Sequence, residues 1–253
     1  MAKPIIPWMG GKRRLAKQIL PKFPEHKSYI EPFAGGAAML FMKEPSKAEV
    51  INDINGELTS LYRVVRHHLQ EFIQQFRWSL VSREMFEWLK LEHPDTLTDI
   101  QRAARFYYLQ KLAFGGKSVG QTFGVDPSRG ARINLLRIEE ELSQAHLRLS
   151  KVCIEHLDWH NCIQRYDRPF SFFYCDPPYW KVAGYGVDFG WDQYEKLADT
   201  FHNLQGKALL SINDHPDIRE LFKDFHMEPL TTSYTVGGRP IDAKELLIYS
   251  WQP

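Results

Sequence analysis

Residues Phe170-Ser-Phe-Phe-Tyr-Cys175 run straight into Asp176-Pro177-Pro178-Tyr179-Trp180. The first six form an almost uninterrupted apolar run, the pattern of a central strand covered on both faces. The two prolines that follow remove two backbone donors and fix φ at both positions. They also hold the residue before them extended, so the strand ends in a stiff bend. A carboxylate, carbonyl oxygens outside any ladder and an aromatic ring are thereby gathered at one strand end. Such a space suits an exocyclic amine, which needs acceptors for its N–H groups and a flat surface beside its ring. A plain proline turn would look the same in isolation, so the companions of this stretch decide its reading.

Outward from it, similar runs recur. Ser28 to Phe33, Lys47 to Asn52, Lys151 to Glu155, Gly206 to Ile212 and Glu245 to Trp251 each read as strands, with helical patterns between them. The alternation predicts an α/β fold with an open sheet and ligand sites beyond the strand C-terminal ends. The middle differs. Helical spacing (Leu61, Val64, Val65, Leu69; then Phe86, Leu89) runs to about Phe114. A glycine-rich stretch, Gly115 to Gly124, then suits a hairpin or loop, and a further helical pattern spans Leu135 to Leu149. Residues 57–150 are therefore expected to be a mostly helical insertion, and 1–56 with 151–253 the catalytic domain.

The 253 residues are 43% hydrophobic and 25% charged, enough for a sizeable core. The first residues hold no apolar run of signal-peptide length, and no stretch is suited to span a membrane. Cys153, Cys162 and Cys175 lack metal spacing, so no metal is expected and a reduced, cytoplasmic setting is the simpler reading. Net charge is only +1, but its distribution is uneven. From Arg102 to Arg137 the cations Arg105, Lys111, Lys117, Arg129 and Arg132 face Asp126 alone, which suits either a solvated face or contact with phosphates. The size is compatible with a monomer.

Two further motifs join the first. Glu31-Pro-Phe-Ala-Gly-Gly-Ala37 closes one strand and opens a helix, and glycines at such a turn let a ligand approach the backbone. Asp53, at the end of the next strand, can accept from ribose hydroxyls or cap the following helix. Pro7-Trp-Met-Gly-Gly-Lys12 hints at a phosphate loop, but Arg13 stands where a magnesium-binding hydroxyl is required, which excludes a Walker site. His67 and His68 are adjacent and the remaining histidines lack helical i, i+4 pairing with an acid, which excludes a metal hydrolase.

In this order the three motifs resemble the Dam-type (D12 class, alpha group) DNA adenine N6-methyltransferases, over nearly the whole chain. The resemblance implies a Rossmann-like methyltransferase sheet, an inserted DNA-recognition domain, S-adenosylmethionine as donor and double-stranded DNA as partner. It further implies that Trp8, Gly11 and Lys12 hold the methionine end of the cofactor, and that Phe33, Gly35 and Gly36 line its turn. Asp53 would take the ribose and Asp158 the adenine end. Asp176, Pro177, Pro178 and Tyr179 would form the catalytic pocket for a flipped adenine. The chain departs from the family in carrying Ala37 where a second glycine is usual, and in lacking the Asn-rich, Arg-Tyr core of the recognition segment. The rival readings are N4 methylation of cytosine (where Ser more often replaces Asp176), an RNA methyltransferase, and an inert DNA-binding module of the same fold.

Overall fold

A computed structural model describes residues 2–125, 130–182, 186, 188–236 and 239–253, with side chains of 232–236 and 239–243 left aside. Seven strands build one sheet: β1 (Ser28–Glu31), β2 (Ala48–Asn52), β3 (Val152–Glu155), β4 (Ser171–Cys175), β5 (Lys207–Asn213), β6 (His226–Val236) and β7 (Arg239–Tyr249). Their spatial order is β3-β2-β1-β4-β5-β7-β6. The first five are parallel, with Ile30 beside Val50 on one side and beside Phe173 on the other. Strand β7 enters antiparallel beside β5, placing Ser211 opposite Leu247, and β6 closes the edge as a hairpin with β7. This is the α/β, Rossmann-like sheet expected of the methyltransferase class.

The pleat sorts side chains onto two faces. Tyr29, Ile51, Phe172, Tyr174, Leu209 and Leu247 face one cluster, whereas Ile30, Val50, Phe173, Cys175, Leu210 and Ile248 face the other. Every residue of β4 is buried, which is why its sequence reads as a continuous apolar run. Each Phe of that strand contributes roughly 1.5–3 kcal/mol by leaving water.

Ten α-helices and four short 3-10 turns accompany the sheet among the described residues. On the Tyr29 face lie α1 (Ala16–Ile19), α2 (Ala38–Met42) and the inserted α3 (Gly56–His67), α4 (Leu69–Gln74), α5 (Arg83–Leu91), α6 (Asp99–Leu112) and α7 (Ile138–Leu149). The opposite face is covered by α8 (Trp159–Tyr166), α9 (Trp191–Asn203) and α10 (Pro216–Leu221). The inserted helices share one buried cluster with the sheet, and α3 packs on β3 as well as on α6 and α7. Starts are marked by side-chain caps: Asn55 accepts from Glu57 and Leu58 at α3, and Thr98 with Gln101 forms a capping box at α6. The glycine-rich stretch forms a loop closed by one isolated antiparallel bridge between Ala113 and Phe123, with no paired strands on either side among the described residues.

Two elements differ from the sequence reading. The last strand starts at Arg239 instead of Glu245, and β6 has no counterpart in the hydrophobic pattern. Strand β6 is the sheet's edge and reads His-Met-Glu-Pro-Leu-Thr, with Pro229 tolerated because one side of an edge strand forms no ladder. No helix among the described residues is long and apolar enough to cross a membrane.

Candidate active site

The strand order reverses between β1 and β4, so their C-terminal ends splay apart into a crevice. A cavity of about 310 Å³ occupies it, bounded by the residues that follow β1, β2, β3 and β4 and by the chain start. Trp8, Gly11, Lys12, Phe33, Gly35, Gly36, Asp53, Asp158, Asp176 and Pro178 all line this space, so three separate sequence motifs meet there. Pro177 is buried behind the bend, and Tyr179 stands beside Lys12, with the ring centroid 4.7 Å from the ammonium.

The bend after β4 is anchored at several points. Tyr194 on α9 donates to the Pro178 carbonyl at 2.6 Å. Asn213, ending β5, accepts from the Trp180 N–H at 3.0 Å and donates to its carbonyl at 3.1 Å. The carboxylate of Asp176 is in close contact with Lys12, which is 2% exposed. Burial works against the Lys12 charge, but Asp176 and Glu245 outweigh it and hold the ammonium protonated. Burial pushes the Asp176 carboxyl up to about 6, against the pull of Lys12. Glu31, which ends β1 and accepts from Tyr29 at 2.8 Å and from the Leu40 N–H at 2.7 Å, is pushed up by burial to about 7.

The glycine turn lines the cavity and also makes room for a side chain from the chain start. A Cβ on Gly35 would lie 2.6 Å from the Trp8 indole nitrogen, and one on Gly36 3.1 Å from Trp8 Cβ. These glycines admit Trp8, and Trp8 in turn forms the cavity wall. Gly35 has φ +48° and Ala37 φ +48°, so the place where the family motif has its second glycine keeps the left-handed backbone that glycine favours. Asp53 accepts from the Gly35 N–H and the Asn55 N–H, each at 2.9 Å, fixing the carboxylate beside the turn. Asp158 caps α8 through one oxygen, accepting from His160 at 3.0 Å. Phe33 stacks on Trp159 with centroids 5.8 Å apart.

Sequence reading missed several residues of this wall: Glu31, Met39, Ile54, Trp159, Asp188 and Gln193. Glu31 sat inside a recognised motif and could have been found there; Met39, Trp159 and Gln193 come from the first turns of α2, α8 and α9, and Ile54 and Asp188 from connecting segments. Carboxylates of Glu31, Asp53, Asp158, Asp176 and Asp188 surround the space, with Lys12 as the cation that lines it. Apolar and aromatic side chains fill the remainder. This donor set fits a ligand carrying positive charge, free hydroxyls and a flat ring. No group of three or more metal-ligating side chains occurs among the described residues.

A model of the D12 class N6 adenine-specific DNA methyltransferases matches residues 8–236. The chain belongs to that family. A Type II methyltransferase of Lactococcus lactis subsp. cremoris is 27% identical, the match covering 94% of this chain and 90% of the relative. One from Paramecium bursaria Chlorella virus NC1A is 29% identical, covering 88% and 87%. A DNA adenine methylase of Haemophilus influenzae is 26% identical, covering 97% and 92%. The chain is thus an adenine-specific DNA methyltransferase, and the inert-module reading falls away.

The methyltransferase's basic insertion is less open than its charges suggest. Arg105 donates from Nε to the Leu89 carbonyl at 2.6 Å. Lys111 lies 3.4 Å from Glu141 with its side chain only 12% exposed, and burial lowers its pKa. Arg102 pairs with Glu57. Lys117 and Arg132 are exposed, and Arg129 lies outside the described residues. Helix α6 is buried around most of its circumference, so Arg105 and Lys111 are held against neighbouring segments.

Proposed function

We propose that the enzyme transfers a methyl group from S-adenosylmethionine to the N6 amine of an adenine flipped out of double-stranded DNA. The observation that carries this reading is the convergence of half-buried Asp176 and buried Lys12 with Asp53 and Asp158 on one cavity at the sheet's switch point. Asp53 is placed to accept from ribose hydroxyls, Asp158 stands at the adenine end, and Phe33 and Trp8 provide apolar walls. Gly11 and Lys12 approach the methionine end. S-adenosylmethionine supplies a methyl group already activated on sulfur.

The residues after β4 then do the rest. The N6 lone pair is delocalised into the ring, so the amine is a weak nucleophile. Asp176 and the Pro177 carbonyl accept hydrogen bonds from its N–H groups and draw it toward a pyramidal geometry. Positive charge grows on nitrogen as the methyl arrives, so a fixed carboxylate stabilises the transition state more than the ground state. Tyr179 offers its face to the extruded base. Residues 57–150 act as the target-recognition domain, with exposed Lys117 and Arg132, and Arg129, on phosphates.

Incubation with methyl-labelled S-adenosylmethionine and unmethylated duplex DNA, followed by nuclease digestion and chromatography, tests this. The expected product is N6-methyldeoxyadenosine within one short sequence context. Label in N4-methylcytosine, or in RNA in preference to DNA, would overturn the assignment.

A further inference from the structure

Glu245 lies in the middle of the chain's last strand and is 1% exposed, yet nothing in the proposed transfer uses it. Three donors converge on it. Tyr179 donates its hydroxyl to Oε2 at 2.5 Å, Ser211 donates to Oε1 at 2.5 Å, and the Lys12 ammonium stands 3.5 Å from Oε1. Its two oxygens thus accept from two hydroxyls and face one ammonium. Lys12 is therefore shared: it touches Asp176 and also faces Glu245.

We infer that Glu245 is a positioning residue of the adenine pocket, pinning the Tyr179 ring and taking part of the Lys12 charge. The role rests on the proposed transfer at Asp176. Lys12 and Asp176 alone would form a neutral pair and offer little to an amine becoming cationic. With Glu245 the cluster carries two negative charges and one positive, so a net negative charge remains beside the reacting nitrogen. Lys12 and Glu245 are almost wholly removed from solvent, so their charges are screened less there than at the surface. The hydroxyl bond holds Tyr179 at the mouth of the bend, where a stacked base must find its ring already in place.

Glu245→Gln keeps an acceptor for Tyr179 and removes the charge. Single-turnover methylation by this variant should fall roughly 10- to 100-fold, with cofactor and DNA affinities within about twofold of the parent. Its acid limb should also move to lower pH, because Glu245 is one of the groups that oppose ionisation of Asp176. The groups facing Asp176 are Lys12, Glu245, Glu31, Tyr174 and Tyr179. A merely structural Glu245 would lower stability and active fraction and leave the limb in place, which would overturn the role. So would a variant with parental rate.

Glu245→Asp provides a second reading should the Gln protein fail to fold. It retains the charge on a shorter arm, so the limb should hold its position while the rate falls as Tyr179 is released. A parental rate in Glu245→Asp would overturn the positioning role. A wild-type enzyme that makes no N6-methyladenine overturns the proposed function, and this role with it. An active wild type matched by Glu245→Gln overturns this role alone.

Discussion

At Asp176 two opposing effects set the charge on which the proposed transfer depends. Removal from water favours the neutral carboxyl, while Lys12 in close contact favours the carboxylate, and the balance lies at about 6. Only the carboxylate can stabilise positive charge on the amine. Transfer should therefore hold a plateau above about pH 7 and fall toward tenfold per unit below about pH 5. Single-turnover rates across that range check this, and a rate that stays flat into the acid would contradict it. Asp176 and Lys12 were legible because short motifs carry them: two prolines after an apolar run, and two glycines before a lysine. Glu245 was not. In the sequence it is one charge in Lys-Glu-Leu-Leu-Ile-Tyr, and only the pairing of β7 with β5 brings it to Ser211 and the bend.

Among the elements, the turn from β1 into α2 joins the most parts. Gly35 is left-handed, donates to Asp53 and lies under the Trp8 indole. Gly35→Ala would place a Cβ against that ring and in a backbone region costing about 1–2 kcal/mol for an L-residue. The melting temperature should fall by about 2–8 °C, and cofactor affinity should drop at least about tenfold as Trp8 is displaced from the wall. Thermal melts with and without S-adenosylmethionine check both, and an unchanged melt would contradict this account of the glycine. The strand-to-helix pattern located the turn correctly but could not say which side chain the glycine admits, since Trp8 is remote in sequence. Strand β6 escaped notice for a related reason. An edge strand owes its place to pairing with β7, and its own composition is polar.

Across the whole molecule, the sheet divides the work. One face carries α8, α9 and α10, which anchor the bend after β4 through Tyr194; the other carries the inserted helices. The insertion is also tied to the cavity. Buried Gln110 on α6 donates to the Pro7 carbonyl at 2.9 Å and to the Gly116 carbonyl at 2.7 Å, and the Met9 N–H donates to Gly116 at 3.2 Å. The residues beside Trp8 and the glycine-rich turn are thus one hydrogen-bonded assembly. Periodicity made the parallel strands and the inserted helices legible, because burial on two faces leaves a continuous apolar record. The inward turn of Arg105 and Lys111 left none, since charge pattern alone does not reveal which way a helix packs.

The most direct test is Asp176→Ala under single-turnover conditions, with duplex DNA, labelled S-adenosylmethionine and separately measured cofactor binding. The account predicts transfer at least about 100-fold slower, with cofactor affinity close to that of the parent. Methylation at the parental rate would contradict it, because the carboxylate at the end of β4 would then not be the group that activates the amine.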